Sequence, residues 1–443
     1  MKNINVYLLS LGCAKNLVNS ELMLGHLANA GYTLLETPEG ADVAIVNTCG
    51  FIESAKTEAI EAILELAELK KQGEIRALIV AGCLTQRYRA EFLDELPEVD
   101  AALGTGSYDE IVEAVEQALG KQEKRAFFAE REMSCLTGDR VLLTPQYSAY
   151  LRIAEGCDNK CSYCVIPEIR GAFRSVPMED VIAEAEALAA AGTKELLVVA
   201  QDITRYGLDL YGKVSLAELL RRLEKVEGIE WIRLHYLYPD EMEDELLDVV
   251  AASSKILHYF DIPLQHVNDR VLRDMNRRGS GALIRDRIDR LRRLMPDAVI
   301  RTSLIMGFPG ETEEEYQELY DFLAEYRLER VGVFCYSQEE GSKAAEMPDQ
   351  IPEEIKERRR AELYALQEQV MDEASAKQVG RTLPILCCGR DEEDQCFGRS
   401  YMDSPDIDGL VYFESADAQE GDFVQVKITY AEGCDLYGTV VEQ

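Results

Sequence analysis

Three cysteines in one short stretch constrain the chemistry of this chain more than any other feature. Cys157, Cys161 and Cys164 follow the pattern CxxxCxxC. Three thiolates in one loop can hold three irons of a [4Fe-4S] cluster and leave the fourth iron without a protein ligand. An open iron can chelate a small molecule through an amine and a carboxylate. The spacing therefore indicates radical chemistry on S-adenosylmethionine.

Zinc is the main alternative metal for these thiols. A structural zinc ion takes four protein ligands, usually from two CxxC-like pairs. No second pair lies nearby, and the nearest histidine is His235. The spacing therefore favours an iron–sulfur cluster over zinc.

Length and charge set the outer limits for fold and partners. A chain of 443 residues exceeds one typical core and predicts two to four domains. No stretch approaches the roughly 18 apolar residues that cross a bilayer, so we expect a cytoplasmic protein with reduced cysteines. The 47 basic and 82 acidic residues give a net charge of −35. Such a field repels phosphate backbones and attracts basic partners, although solubility alone also explains it.

The first third of the chain alternates apolar strands with helices. Strands are expected at 6–11, 41–46 and 77–81, with helices at 17–30 and 55–70. Repeated strand–helix units predict an α/β domain built on a doubly wound parallel sheet.

Each of these three strands runs directly into a cysteine, namely Cys13, Cys49 or Cys83. Open parallel sheets bind ligands beyond the carboxyl ends of their strands. The three thiols therefore predict a second iron–sulfur cluster, again with one iron lacking a cysteine. The alternative is that small buried cysteines fill strand–loop corners. Three cysteines in the same structural position favour the cluster.

A second strand–helix series begins near residue 150. Six such units suit a partial barrel of the TIM type, whose site lies at the carboxyl ends of the strands. The CxxxCxxC loop follows the first strand, as that geometry requires. The candidate strands are 149–154, 195–200, 231–237, 258–263, 299–306 and 330–336.

Loops after three further strands carry candidate cofactor contacts. Gln201 follows the second strand, Gln265 and His266 follow the fourth, and Gly307 opens the run GFPGET after the fifth. We predict that Gln201 and Gln265 supply polar contacts and that the turn at Gly307 packs against a flat ligand such as an adenosyl group. An ordinary strand-to-helix turn is the alternative for Gly307, and a structural role is the alternative for His266.

In the last segment, residues 377–443, the strand–helix alternation gives way to short strands. Short strands at 382–388, 409–413, 423–431 and 437–441 predict a small five-stranded β-barrel of the oligonucleotide-binding kind. Five basic residues face fourteen acidic ones in this segment, a net charge of −9. Phosphate binding needs lysine and arginine. The barrel is therefore better suited to a basic protein.

Two basic runs, 285–293 and 356–360, are interpreted as solvated helix faces rather than nucleic-acid contacts. The second belongs to a charged helix expected over 352–378. The chain contains no GxxxxGK[ST] loop and no GxSxG turn. ATP hydrolysis and nucleophile-elbow hydrolysis are therefore not expected.

These motifs together resemble the methylthiotransferases of the radical S-adenosylmethionine enzymes. The runs LGCAKNLVNSE, TCGFI and SPDIDG, which begin at Leu11, Thr48 and Ser404, resemble the branch that modifies a ribosomal protein. The resemblance covers nearly the whole chain. It implies a methylthiotransferase domain over 1–140 with an auxiliary cluster, a radical core over 141–375, and a TRAM barrel over 377–443.

The resemblance also implies the roles of particular residues. By it, the CxxxCxxC cysteines hold the radical cluster, the three strand-end cysteines hold the auxiliary cluster, and Tyr163 lies beside the adenine of S-adenosylmethionine. No catalytic residue is implied beyond the cluster ligands. The chain departs from the family at Asn19, where aspartate is usual, and at Ile203, where threonine is common.

The substrate implied by this branch is an aspartate of small-subunit ribosomal protein twelve, which gains a methylthio group on its β-carbon. A basic ribosomal protein agrees with the acidic terminal barrel. An electron donor such as flavodoxin or ferredoxin is also implied, with no membrane and no nucleic-acid partner.

Two other functions stay open on the sequence. A transfer-RNA adenosine methylthiotransferase would share both clusters but should carry a basic terminal barrel. A non-catalytic iron–sulfur carrier would explain the cysteines but neither the six-unit barrel nor the turn at Gly307. The remaining cysteines are expected to serve packing or to lie at the surface: Cys135, Cys335, Cys387, Cys388, Cys396 and Cys434.

Overall fold

A computed structural model describes residues 4–120, 125–130 and 136–441 of the chain. Within these ranges the chain forms two six-stranded parallel sheets, one closed β-barrel and a two-stranded ribbon. The predicted α/β class with a small terminal barrel is therefore confirmed.

The N-terminal sheet consists of six parallel strands flanked by helices. Its strands are β1 (Asn5–Ser10), β2 (Thr33–Leu35), β3 (Val43–Thr48), β4 (Ala77–Gly82), β5 (Ala101–Leu103) and β6 (Arg125–Phe127). Its helices are α1 (Ala14–Asn29), α2 (Glu53–Gln72), α3 (Cys83–Glu95) and α4 (Ile111–Leu119). The strand order is β2-β1-β3-β4-β5-β6.

The central strands of this sheet are the ones that the sequence predicted. Every residue of β3 and β4 is buried, because helices cover both faces of a parallel sheet. The sequence analysis missed β2, β5 and β6. Each of these has three residues, too few for a hydrophobic period to show.

The second sheet is open and parallel, in the order β14-β13-β12-β11-β10-β7. Its six strands match the six predicted ones with small shifts at their ends. They are β7 (Ser148–Arg152), β10 (Glu195–Val199), β11 (Trp231–Leu234), β12 (Ile256–Asp261), β13 (Val299–Met306) and β14 (Arg330–Cys335).

A short antiparallel ribbon, β8 (Ala154–Glu155) with β9 (Arg174–Ser175), frames the CxxxCxxC loop and the small helix α5 (Ile166–Arg170). Longer helices then cover the outer face of the second sheet and pack into one apolar core with it. The remaining helices are α6 (Met178–Ala190), α7 (Leu208–Tyr211), α8 (Leu216–Leu223), α9 (Asp244–Ala252), α10 (Asp269–Asp274), α11 (Gly281–Leu294), α12 (Glu313–Tyr326) and α13 (Glu353–Ala376).

The C-terminal strands close into a barrel in the order β15-β16-β17-β19-β18. They are β15 (Thr382–Arg390), β16 (Cys396–Arg399), β17 (Val411–Glu414), β18 (Phe423–Glu432) and β19 (Asp435–Val440). Only β16 lacks a counterpart among the predicted strands. The barrel shares an apolar core with Tyr147, Trp231, Leu257, Tyr259 and Val299 of the second sheet.

Buried ion pairs fix the terminal barrel against the amino ends of the second sheet. Glu195, the first residue of β10, lies 3.0 Å from Arg233 Nε and 2.5 Å from Arg399 Nη2. Arg330, the first residue of β14, lies 2.9 Å from Asp403. The terminal barrel therefore covers the end of the sheet opposite the CxxxCxxC loop.

The SPDIDG run lies at this junction. Ser404 Oγ is 3.3 Å from His235 Nε2, and Tyr259 OH donates a 2.6 Å hydrogen bond to Asp408. The motif thus joins the terminal barrel to two strands of the second sheet.

Across the described residues, no helix combines the length and the apolar character that spanning a bilayer requires.

Candidate metal centres

The CxxxCxxC cysteines share one loop between β8 and α5. Cys157 and Cys161 are buried, and Cys164 is half-buried. Burial raises the pKa of Cys164, and neighbouring Cys161 contributes to this rise. Burial also raises the pKa of Cys157 to about 12, again with a contribution from Cys161. Thiols that influence one another's ionisation in this way lie close together. The loop therefore brings its three sulfurs to one place.

Backbone contacts to distant elements hold this loop. Ser162 donates from its N–H to Met275 O at 2.9 Å and accepts from Ala344 N at 2.8 Å. Gly156 has a φ of +80°, and a Cβ there would lie 2.0 Å from Ala172 O. A side chain at Gly156 cannot fit, so this glycine is required for the loop to form.

The three strand-end cysteines also come together. Cys13 caps α1, Cys49 follows β3, and Cys83 opens α3. Burial, with contributions from Cys83 and Cys13, raises the pKa of Cys49 to about 12. Burial and Cys13 also raise the pKa of Cys83, although Arg170 acts to lower it. Three strands of one parallel sheet thus deliver three thiols to one edge, as their register predicts.

Cys13 differs from its two neighbours, because its pKa is lowered. Burial acts to raise this pKa, but the cations of Lys15 and Arg170 and two backbone N–H groups, of Asn16 and Lys15, act against burial and prevail. A thiolate at the start of a helix is stabilised by free N–H groups and by the helix dipole. Cys13 is therefore the most readily ionised ligand of its group.

Gly12 lets the Cys13 loop approach Cys49 closely. Gly12 has a φ of +91°, and a Cβ there would lie 2.7 Å from Cys49 Cβ. Such a contact cannot persist without moving one of the two cysteine-bearing loops.

We expect Gly12→Ala to prevent formation of the auxiliary cluster, because the new Cβ displaces Cys49. Iron in anaerobically reconstituted protein should fall from about eight to about four atoms per chain. Gly31→Ala is the matched control, since Gly31 has a similar φ of +86° with no atom within 4 Å of its Cβ position. It should cost only about 1–2 kcal/mol of backbone strain. Full iron loading of the Gly12 variant would contradict this role.

The spacing of both thiol groups fits a cluster better than a single ion. A zinc ion bound at about 2.3 Å brings tetrahedral sulfurs to roughly 3.8 Å from one another. In the described part of the chain, the sulfurs of neither group all lie within 4.8 Å of one another. Neither group therefore has the tight spacing of a single-ion site, and three thiols are the donor set that a site-differentiated [4Fe-4S] cluster uses.

Arg170 and Glu155 join the two thiol groups. Arg170 Nη2 lies 3.2 Å from Cys83 Sγ, and Arg170 Nη1 lies 2.9 Å from Glu155. Glu155 stands two residues before Cys157 and also pairs with Arg152 at 3.2 Å. Burial opposes ionisation of Glu155, but the two arginines lower its pKa to about 2. A buried, charged network thus spans the gap between the two groups.

A cavity of about 760 Å³ adjoins the CxxxCxxC loop. Tyr163 and Gln265, two of the predicted cofactor contacts, line it together with Ile305 and Phe334. Charged side chains, among them Glu339 and Arg360, also line it. The cavity therefore offers a small molecule both apolar and polar contacts beside this loop.

The other two predicted contacts lie outside the lining of that cavity. Gln201 donates a hydrogen bond to Glu155 at 2.5 Å. Gly307 has a φ of +72° and faces the aliphatic chain of Lys356, whose Cγ would lie 2.3 Å from a Cβ. Thr312 then begins α12 with a capping box.

His266 is fully buried and lies near Glu311. Burial lowers the pKa of this histidine to about 3, so its ring is neutral. Its Nδ1 accepts a 3.0 Å hydrogen bond from Asn268 N. These contacts give His266 a role in packing the loop after β12.

Comparison with known proteins identifies each part of the chain. Residues 5–104 match the family described as uncharacterized protein family UPF0004, residues 151–323 match the radical SAM superfamily, and residues 379–441 match the TRAM domain. The radical SAM methyltransferase TsrM of Kitasatospora setae, solved with cobalamin and a [4Fe-4S] cluster, has a TM-score of 0.55, with 14% identity over 76% of this chain and 75% of TsrM. At that identity the likeness shows the fold alone.

Curated relatives decide the family. Ribosomal protein uS12 methylthiotransferase RimO of Lachnoclostridium phytofermentans is 48% identical over 98% of this chain and 100% of its own length. RimO of Anaeromyxobacter sp. (strain Fw109-5) is 49% identical over 100% of this chain and 94% of its own. This chain belongs to the RimO family.

RimO membership supports the ribosomal-protein branch over the transfer-RNA branch. It also makes the chain a radical S-adenosylmethionine enzyme, with S-adenosylmethionine and two [4Fe-4S] clusters as cofactors. The carrier interpretation is therefore not supported.

Sequence reasoning missed the charged residues around the two centres of this RimO-family chain. Glu155 and Lys15 each stand two residues from a cysteine of a motif, which is the signal that was available. Their partners, Arg170 and Tyr236, lie far away in sequence and are apparent only in the fold. Asn19, where the family usually has aspartate, is buried and accepts a hydrogen bond from Arg152.

The other described cysteines of this RimO-family chain belong to neither three-thiol group, although Cys335 lines the cavity with Tyr163 and Cys388 lines another with Cys13. Cys387 and Cys396 are buried in the terminal barrel, and Cys388 is half-buried. Cys335 Sγ lies 3.5 Å from Glu357 Oε1, close to α13. The prediction for Cys135 falls outside the described residues.

Proposed function

We propose that this chain adds a methylthio group to the β-carbon of an aspartate in ribosomal protein uS12. The observation that carries the proposal is the meeting of two three-thiol groups across one buried ion network, in a chain related to RimO over its full length. We assign Cys157, Cys161 and Cys164 to the radical cluster and Cys13, Cys49 and Cys83 to the auxiliary cluster.

An unactivated C–H bond lies beyond the reach of acid–base catalysis by side chains. When bound, the clusters and S-adenosylmethionine supply the radical and the sulfur that this reaction needs. The residues of the chain have a different task. Tyr163 and Gln265 line the proposed adenosyl cavity. The Arg170–Glu155 network fixes the distance between the two centres, and the packed core of the second sheet excludes water.

A second cavity, of about 780 Å³, offers the substrate a route to the auxiliary centre. Its lining includes Cys13, Tyr150, Phe397 and Asp406, and so draws on the N-terminal sheet, the second sheet and the terminal barrel. The acidic barrel attracts a basic protein such as uS12. We propose that a loop of uS12 enters here and reaches the auxiliary centre from the side of the terminal barrel.

The division into domains at 1–140, 141–375 and 377–443 stays part of this proposal. So does reduction by a small electron carrier such as flavodoxin or ferredoxin. A ribosomal substrate and free thiol ligands both favour the cytoplasm, where thiols remain reduced. Nucleic acid is not part of the proposed reaction.

Mass spectrometry of uS12 tests the proposed function directly. In cells that carry the gene, one aspartate of uS12 should bear an SCH₃ group in place of a hydrogen, and deletion of the gene should remove it. A copy encoding Cys161→Ala should not restore the modification. An unchanged uS12 together with loss of a methylthio group from transfer RNA would reject the proposal in favour of the other branch.

A further inference from the structure

Lys15 is a buried cation that rests on an aromatic ring. Its side chain belongs to the first turn of α1 and is 7% exposed. Its Nζ lies 3.5 Å from the centre of the Tyr236 ring. Among the described residues, no carboxylate forms an ion pair with this ammonium, and the charged groups that act on it are Cys13 and Arg170.

The other buried cations near the two centres have oxygen partners. Arg152 and Arg170 both pair with Glu155, and Arg277 donates a hydrogen bond to the backbone oxygen of Pro263. A buried charge is costly unless an opposite charge or hydrogen bonds compensate it. A ring face compensates a lysine only in part, so Lys15 retains the capacity to bind an anion.

Lys15 is linked to both thiol groups through its neighbours. It stands two residues after Cys13 and contacts Tyr236 in the segment after β11. Two residues further on, the Tyr238 ring lies 4.3 Å from Arg277 Cζ, and Arg277 Nη1 lies 3.9 Å from Cys161 Sγ. One short segment therefore connects the ammonium of Lys15 with the CxxxCxxC group.

Tyr236 is held firmly in place beneath the ammonium. It has a φ of +64°, a left-handed conformation that is strained for a tyrosine. Its N–H donates to Asp261 Oδ2 at 3.3 Å, and Asp261 is in turn fixed by Arg301 at 2.9 Å. The ring therefore supports Lys15 at a defined position.

We propose that Lys15 binds the side-chain carboxylate of the substrate aspartate and so positions its β-carbon between the two cysteine groups. The inference rests on the proposed function, since it names the residue that distinguishes aspartate from uncharged side chains. Lys15 acts here as a substrate-binding and specificity-determining residue. A competing role is compensation of the Cys13 thiolate alone, with no contact to substrate.

The test compares binding of two forms of uS12 to the anaerobically reconstituted full chain. One form carries the target aspartate and the other carries asparagine in its place. A charge-assisted hydrogen bond should make wild-type enzyme bind the aspartate form about 10- to 100-fold more tightly. Lys15→Met should bind both forms with nearly equal Kd, whereas Lys15→Arg should keep most of the preference.

Lys70→Met is the matched control for loss of one positive charge. Lys70 belongs to the same sheet domain but pairs with Asp100 at 2.6 Å. This variant should keep the full preference for aspartate. Iron content and thermal unfolding of each variant establish that it is folded and loaded.

Several outcomes would overturn the inference. If wild-type enzyme bound both uS12 forms equally, the inference would be overturned. That result does not depend on whether Lys15→Met folds. If Lys15→Met weakened the binding of both uS12 forms equally and also lost iron, the role of Lys15 would be charge compensation at Cys13. Wild-type enzyme that neither binds nor modifies uS12 would reject the proposed function itself, and the inference with it.

Discussion

Replacement of Cys161 by alanine is expected to abolish cleavage of S-adenosylmethionine, whereas replacement of Cys49 should leave cleavage intact and stop methylthiolation. The reason is that the two residues belong to different thiol groups, one beside the adenosyl cavity and one at the edge of the N-terminal sheet. Loss of one of three thiolates removes the cluster that the group holds. The Cys161 variant should reduce cleavage to background, and the Cys49 variant should reduce methylthiolation to background.

Two measurements separate the variants. Chromatography of the nucleoside product reports cleavage, and mass spectrometry of uS12 reports methylthiolation. Each variant should retain about half of the wild-type iron, because one cluster remains. Cys434→Ala, at a half-buried thiol in the terminal barrel, should leave both products unchanged. Full methylthiolation by the Cys49 variant would show that the auxiliary assignment is wrong.

Removal of the Glu195 carboxylate is expected to loosen the terminal barrel from the second sheet. Glu195→Ala leaves Arg233 and Arg399 buried without their counter-charge. Breaking a buried ion pair on one side costs about 3–5 kcal/mol. We expect a clear fall in the unfolding midpoint and faster proteolysis near residue 377. Glu230→Gln, at an exposed carboxylate on the adjacent loop, is the control and should change neither.

The same ion group gives a defined pH dependence. Burial acts against ionisation of Glu195, but Arg399 and Arg233 lower its pKa to about 2 from an ordinary value of 4.5. A lowered carboxyl pKa adds stability above pH 4.5, and this stability is lost as the pH falls toward 2. Wild-type unfolding midpoints should therefore drop across this interval, and Glu195→Gln should show a shallower drop. Equal slopes for the two proteins would contradict this role of Glu195.

The strands that end in cysteine show why much of the fold could be predicted. β3 and β4 are continuous apolar runs, because a parallel sheet covered on both faces demands apolar residues at every position. Their cysteines follow at the carboxyl ends, where parallel topology places ligands. β5 and β6 were missed because a three-residue strand carries too little pattern, although pairing with neighbouring strands stabilises it.

The proposed adenosyl contacts show where sequence reasoning reached its limit. Gln201 and Gln265 follow equivalent strands, yet Gln265 lines the cavity and Gln201 turns to Glu155. The difference depends on which neighbour each amide meets across the sheet. No local pattern encodes that choice.

The sequence by itself determined the two cysteine groups, the order of sheet, partial barrel and terminal barrel, and the acidic character that suits a basic protein. These features are local: they depend on spacing, on periodicity and on counted charge. Only the tertiary structure decided that Arg170 and Glu155 join the two centres, that Lys15 rests on Tyr236, and that Glu195 anchors the terminal barrel. The physical reason is that the energy of a buried charge is set by partners far away in sequence, which only folding brings within contact.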